Sequence, residues 1–412
     1  MRLFYLAAIL IFISTQTEAR EPYKAIVDFG TQSATFTTSN IVSLTNDLAT
    51  ASIQKKISGY TPVSAASLVF NLRGLTCTAS YPAGSTTLNV VIPDAGIDVS
   101  FTGGTREESN QLFEDFYLTG AQGNHKFRKA FAKHTPIDPI AGNPNSLMSL
   151  MAQADFAFAR LSPLSGCREG CQKCCEDPCW ESQPLVHQFQ FMGIGARAMS
   201  ETFDTIVLSV PLRYSYSPTK TWALIVDLPM TFLYNDGAWS TDGSLGMGFR
   251  IPIVYTWTLT PTGRVGLGGS LSLATLGSFV SGGLLSNINI PMWNFVLSVA
   301  DYGGYFATIP LTWGGIRFNY NLHNWVIKNG IAMTTCNELN ICGIPFNFSI
   351  NFTDTLYRGD TLFIKHYDEV GFSIIANCLS NLFDYDSLIL NAAYQFGQKN
   401  YQAYIGSLAY QF

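Results

Sequence analysis

Five cysteines, Cys167, Cys171, Cys174, Cys175 and Cys179, crowd thirteen residues near the middle of the chain. In a reducing compartment thiolates at such spacings close a tetrahedral zinc or cluster site. In an oxidising compartment they pair as disulfides instead. Five is an odd number, so one of the group pairs with Cys77 or stays free. Cys336 and Cys342 are spaced to staple a turn between two strands, and Cys378 has no evident partner. His187, His323 and His366 lie in or beside strand-like runs with no serine or carboxylate at a motif spacing. A histidine on its own is more often structural than catalytic. With no phosphate-binding glycine loop and no metal-binding histidine pair, no catalytic residue, cofactor or metal ligand is assigned, and the chain does not read as an enzyme.

The compartment decides the cysteine chemistry, and the first residues address it. Arg2 supplies a basic flank, Leu3 to Ser14 form a short apolar run, and Thr17-Glu18-Ala19 offers small residues where a signal peptidase cuts, after Ala19. The run is shorter than the roughly 20 residues of a spanning helix. Residues 1–19 therefore read as a signal peptide, and export makes Cys167, Cys171, Cys174, Cys175, Cys179, Cys336 and Cys342 candidate disulfide cysteines, with metal binding the alternative.

Charged residues make up 13% of the chain, against about 25% in ordinary soluble domains. No later segment is long and apolar enough to span as a helix, which leaves strands. A net charge of -5 excludes nucleic acid as the expected partner. Ile206, Leu208, Val210, Leu212, Tyr214 and Tyr216 alternate with Thr205, Ser209, Pro211, Arg213 and Ser215. Trp222, Leu224, Val226, Leu228, Met230, Phe232 and Tyr234 repeat the pattern, as do Leu245 to Trp257 against a row of glycine, Arg250, proline and threonine. One face of each strand is apolar and the other is small and polar with few charges. A soluble sandwich turns that second face to water and fills it with charge. Short turns are expected at 217–220 and 260–263, and long loops at 235–243 and 277–286. Further runs bring the count to about twelve strands. Arg213, Asp227 and Arg250 point inward from three successive strands, either as a pore lining or as mutual salt bridges in a filled lumen. The salt-bridge reading is favoured, because a barrel of this size can be filled by its own chain.

The chain finishes on the same dyad pattern. Tyr404, Leu408, Tyr410 and Phe412 share one row, with Ala403, Ser407, Ala409 and Gln411 on the other, and all seven tryptophans lie beyond residue 179. This ending resembles the closing strand of a Gram-negative outer-membrane β-barrel, porin-like or autotransporter-like. The resemblance implies that Tyr404, Leu408, Tyr410 and Phe412 form the signal read by the barrel-assembly machinery. It also implies that the tryptophans and tyrosines form interfacial girdles against outer-membrane lipid and lipopolysaccharide.

Residues 20–140 read as a small α+β domain, expected to be periplasmic. Thr87 to Ile92 and Ile97 to Thr102 are joined through Pro93-Asp94-Ala95-Gly96 as a hairpin. Thr105 with Glu108 forms a capping box, and a basic helix over residues 125–134 is expected to show a solvated face. Pro136 to Pro144 has linker composition, after which Ser146 caps a helix with Leu147, Leu150, Met151, Ala154 and Phe158 on one side. Such a helix either threads the pore, as the linker of autotransporters does, or docks on the N-terminal domain. The domain plan is thus 1–19, 20–140, 141–183 with helix and cysteine cluster, and a mainly β membrane barrel over 184–412. The expected function is an outer-membrane channel or structural envelope component. The alternative is an autotransporter-like barrel that presents residues 20–180 at the cell surface for adhesion.

Overall fold

The computed structural model describes residues 22–119, 125–160, 187–200, 203–218, 222–254, 256–335, 339–341, 344–377 and 387–412. Its first unit is a six-stranded antiparallel sheet in the order β2-β1-β3-β4-β5-β6. The strands are β1 (Tyr23–Phe29), β2 (Gln32–Thr38), β3 (Ala66–Leu72), β4 (Leu75–Tyr81), β5 (Thr87–Ile92) and β6 (Ile97–Thr102). Alternate residues of β3 and β4 are buried, as a sheet with one covered face requires. The cover comes from α1 (Ile41–Asp47), α2 (Thr50–Lys56) and α3 (Arg106–Thr119). Phe113 of α3 meets Phe70 and Phe101 edge-on at 5.8 Å. The β5–β6 turn falls at Pro93–Ala95 with Gly96 in the left-handed region, as expected. At the start of α3 the Thr105 hydroxyl caps the Glu108 amide, while the Glu108 carboxylate reaches the Gly104 amide, one residue earlier than a capping box has it.

Helix α4 (His125–His134) is less solvated than its composition suggests: Phe127, Arg128 and Phe131 are buried, and the Arg128 guanidinium lies 4.6 Å over the Phe318 ring. Of its lysines Lys126 and Lys133 are exposed, while Lys129 is half-buried and pairs with Asp360 at 2.9 Å.

The second unit is a closed antiparallel barrel of 12 strands. They are β7 (His187–Ser200), β8 (Phe203–Tyr216), β9 (Ala223–Asn235), β10 (Ala238–Val254), β11 (Trp257–Ser270), β12 (Thr275–Met292), β13 (Phe295–Ile309), β16 (His323–Thr335), β18 (Ile344–Gly359), β19 (His366–Asn377), β20 (Ser387–Gly397) and β21 (Gln402–Gln411). A hairpin of β14 (Leu311–Trp313) and β15 (Ile316–Phe318) and the short β17 (Leu339–Ile341) lie outside the ring. Closure comes from β21 on β7 and from β16 on β18. The apolar rows face outward: Leu208, Met230, Leu245, Phe352 and Tyr404 are all exposed. In water that surface would be costly, and against acyl chains it is not.

Three turn and loop expectations fail. Thr260-Pro261-Thr262-Gly263 runs inside β11 in register with Gly282 to Leu285 of β12, residues 277–286 form the middle of β12, and the bend at 235–243 is a two-residue turn at Asp236-Gly237. Glycine there answers to volume rather than to turning. A Cβ on Gly277 would sit 2.8 Å from Ile140, and one on Gly283 2.7 Å from Tyr302.

What those glycines accommodate is the chain itself. Residues 135–144, of linker composition, are buried throughout. They lead into α5 (Leu147–Phe156), which stands inside the barrel. Ser146 precedes the helix without capping it, donating its hydroxyl instead to the Asn143 carbonyl at 2.6 Å. Added Cβ atoms on the wall glycines Gly248, Gly266 and Gly330 would collide with Phe158, Met151 and Phe156. Most of the helix is buried against the wall, its apolar side chains beside these glycines and its polar Ser149 and Asp155 paired with Tyr357 and Arg264.

Candidate functional site

The lumen holds a ladder of alternating charges. Asp155 of α5 accepts from Arg264 Nε at 2.8 Å, from the Tyr302 hydroxyl at 3.0 Å and from the Thr262 hydroxyl at 3.4 Å. Arg264 on β11 also donates Nη2 to Asp227 of β9 at 2.6 Å and Nη1 to the Ser244 hydroxyl of β10 at 3.0 Å. Asp227 takes a longer contact of 3.5 Å from Arg213 of β8, which donates its other Nη to Gln190 of β7 at 3.3 Å. Both Asp–Arg264 pairs are fully buried.

The geometry depends on one missing side chain. Gly246 of β10 is the register partner of Asp227 on one side and of Arg264 on the other. A Cβ there would occupy the space of the Arg264 guanidinium and stand 2.6 Å from Asp227 Oδ1. Arg264 therefore reaches across an intervening strand, and two acids and two bases, all buried, neutralise one another. A network in which every charge is paired can persist in a dry interior; one missing partner makes it costly.

Two of the three charges singled out in the sequence meet in this way. Arg213 and Asp227 are register partners. Arg250 aligns with Ala223, four residues along from Gly246, and donates to the Phe158 carbonyl at 2.8 Å. Sequence reasoning missed Arg264 and Asp155. Arg264 was lost to the expected turn at 260–263, although it keeps the same row as Thr262 and Gly266. Asp155 has no local signal at all, since its partner is 109 positions away.

A second network closes the mouth. Arg73, at the β3–β4 turn, is completely buried; it donates to Asp138 at 2.7 Å and to the Leu273 carbonyl at 3.2 Å, and stacks 4.1 Å over Phe131. Asp138 also accepts from the Tyr320 hydroxyl at 3.1 Å and from the amides of Ile140 and Ala141. Burial pushes the Tyr320 hydroxyl well above its ordinary range, so it stays a donor. Leu273 and Ala238, from two barrel turns, belong to the core of the N-terminal unit. The Phe363 amide bonds the Ala132 carbonyl and that of Ile364 the Gly142 carbonyl, both at 2.9 Å. Sheet, buried segment and barrel rim are thus one packed body at this end.

At the opposite end β7 begins, and Phe412 exchanges both backbone bonds with Phe189, stacking on the rings of Phe189 and Phe191 at 5.8 and 6.0 Å. Tyr404 is 56% exposed on the outer wall, while Leu408, Tyr410 and Phe412 are half-buried. His187 and His323 pair with the hydroxyls of Tyr214 and Tyr305, at 2.7 and 3.0 Å, and no serine hydroxyl completes a triad among these contacts. Cys167, Cys171, Cys174, Cys175, Cys179, Cys336, Cys342 and Cys378 lie outside the described residues. Cys77 is free in the sheet core, its thiol 3.6 Å from the Leu75 carbonyl and pushed up by burial.

No family model and no curated protein matches the chain. Solved structures similar to it include the β domain of the Bordetella autotransporter BrkA (10% identity, TM-score 0.42, covering 55% of this chain and 99% of that one). The translocator domain of the autotransporter NalP from Neisseria meningitidis is 12% identical, with a TM-score of 0.41, covering 65% of this chain and 98% of its own. LpxR from Salmonella typhimurium is 8% identical, with a TM-score of 0.37, covering 54% and 99%.

Proposed function

We propose that the chain is an exported outer-membrane barrel, sealed by its own polypeptide, that holds its N-terminal unit at the cell surface as an envelope component of autotransporter-like build. The observation that carries this reading is the path of the chain. The N-terminal unit packs on the turns at 236–237 and 271–274, the segment from Thr135 descends through the lumen, and Phe158 meets Arg250 near the far end, where β7 begins. Strands of a single-chain barrel with an even count start and finish on one side. If that side is periplasmic, the N-terminal unit stands outside. The outward row of Tyr404, Leu408, Tyr410 and Phe412 supports its role as the assembly signal, and the exposed Trp222, Trp239, Trp293, Trp313 and Trp325 support contact with lipid and lipopolysaccharide at the interfaces.

The filled lumen supports a structural role over open conduction. Protease added to intact cells is expected to attack the N-terminal unit, and planar-bilayer recordings of the full chain are expected to show no steady conductance. Protection in intact cells with digestion only after the outer membrane is breached would reverse the orientation. A steady open pore would restore the channel reading.

A further inference from the structure

On the outside of the wall, away from the lumen ladder, three ligand-bearing side chains converge between the exposed apolar residues Phe352 and Val370, with Asn329 beside them. Asp354 on β18 and Asp368 on β19 are direct register partners, and His366 stands two residues before Asp368, hence on the same face. That face is the outer one: Thr353, Thr355 and Tyr367 point inward and are buried, whereas Phe352 and Val370 are exposed. His366 Nε2 lies 2.5 Å from Asp354 Oδ1 and 3.8 Å from Asp368 Oδ1. One ligand atom from each residue fits within a 4.8 Å span.

Two carboxylates placed opposite one another on an antiparallel pair repel, and charges on the outward face cost more the nearer they come to lipid. A single imidazolium offsets one of them. A divalent cation offsets both. The support around the trio has the form that a metal site needs: Asn329, the register partner of Asp354 on β16, donates Nδ2 to Asp354 Oδ2 at 3.3 Å and leaves Oδ1 facing His366. An outer partner that fixes the orientation of a ligating carboxylate is typical of such sites. Metal–ligand bonds of about 2.0–2.2 Å in a tetrahedron set ligand atoms roughly 3.3–3.5 Å apart; the 3.8 Å separation lies near that value, whereas the 2.5 Å contact is a His366–Asp354 hydrogen bond, so a bound ion would replace the shared proton and push this pair apart. One nitrogen and two carboxylate oxygens suit zinc or a similar first-row ion, whereas calcium takes about 6–8 oxygens.

We propose that Asp354, His366 and Asp368 form a three-ligand site for a zinc-type divalent cation on the outer wall of the barrel, with the fourth position open. The test is calorimetric titration of zinc into the full chain in detergent micelles, with cysteines alkylated so that thiolates do not compete. Wild type is compared with His366→Ala, Asp368→Asn and, as an exposed acid one strand beyond Asn329, Asp301→Asn. The expected result is one zinc per chain, weakened about tenfold or more in His366→Ala and in Asp368→Asn and unchanged in Asp301→Asn. Superimposable titrations of wild type and His366→Ala overturn the proposal, as does equal weakening by Asp301→Asn. Cobalt(II) on the wild-type protein guards against misfolded variants. Visible bands of a low-coordinate nitrogen–oxygen site are expected there, and a spectrum no different from aqueous cobalt counts against the site.

Discussion

Arg264→Met removes the centre of the lumen ladder while keeping most of its length. Asp155 then retains Tyr302 and Thr262, and Asp227 keeps only the 3.5 Å contact from Arg213. Two fully buried carboxylates are left with too little positive charge. Removing one partner of a buried pair costs about 3–5 kcal/mol, largely as the penalty on the charge left behind. Asp155→Asn should cost less, because Arg264 keeps Asp227 and Ser244. In the double variant the second substitution relieves the first, so the two costs should fall short of additivity by about 0.5–3 kcal/mol. Urea unfolding of the refolded protein in detergent or lipid vesicles, followed by tryptophan fluorescence, measures all three. The exposed tryptophans of the wall pass from apolar surroundings to water as the barrel opens. An Arg264→Met protein within about 1 kcal/mol of wild type, or strict additivity with Asp155→Asn, would refute the argument that these charges are dry and mutually dependent.

The rim offers a parallel case: Arg73→Ala strands Asp138 beneath the N-terminal unit and should cost about 3 kcal/mol, seen as faster release of residues 22–134 by limited proteolysis with the barrel still resistant. Gly266→Val places a side chain where Met151 and Leu147 already lie, so it should destabilise by about 1–3 kcal/mol in the same urea assay, and truncating Met151 in that background should recover part of the loss. The Cys77 thiol is buried and held above its ordinary range by burial first and by Asp94 second. Alkylation at pH 8 followed by peptide mapping should therefore leave it unmodified until denaturant is added, and rapid labelling of the folded protein would contradict the packing described for the sheet core.

How much of this was legible before folding depends on how far apart the interacting residues are. The twelve strands were readable because lipid and lumen impose opposite demands at every second residue, and that demand is written locally in rows such as Leu224 to Tyr234. Hairpin β5–β6 and helix α4 were readable for the same reason, since Pro93 to Gly96 and the spacing of Phe127 and Phe131 act over a few residues. Turn chemistry misled where glycine served another purpose. Gly277 and Gly283 look like a loop and instead clear space for Ile140 and Tyr302, which no short window contains.

From the sequence alone came the approximate number of strands, the two faces of most of them, and the presence of inward charges at Arg213, Asp227 and Arg250. Only the tertiary structure decided that the buried segment and α5 fill the lumen, that Arg264 crosses Gly246 to join Asp155 with Asp227, and that Asp354, His366 and Asp368 share one outer face. Those facts arise from ring closure. Pairing β21 with β7 and β16 with β18 fixes which distant residues stand opposite and how much room remains between them, and neither register nor interior volume is a local property of the chain.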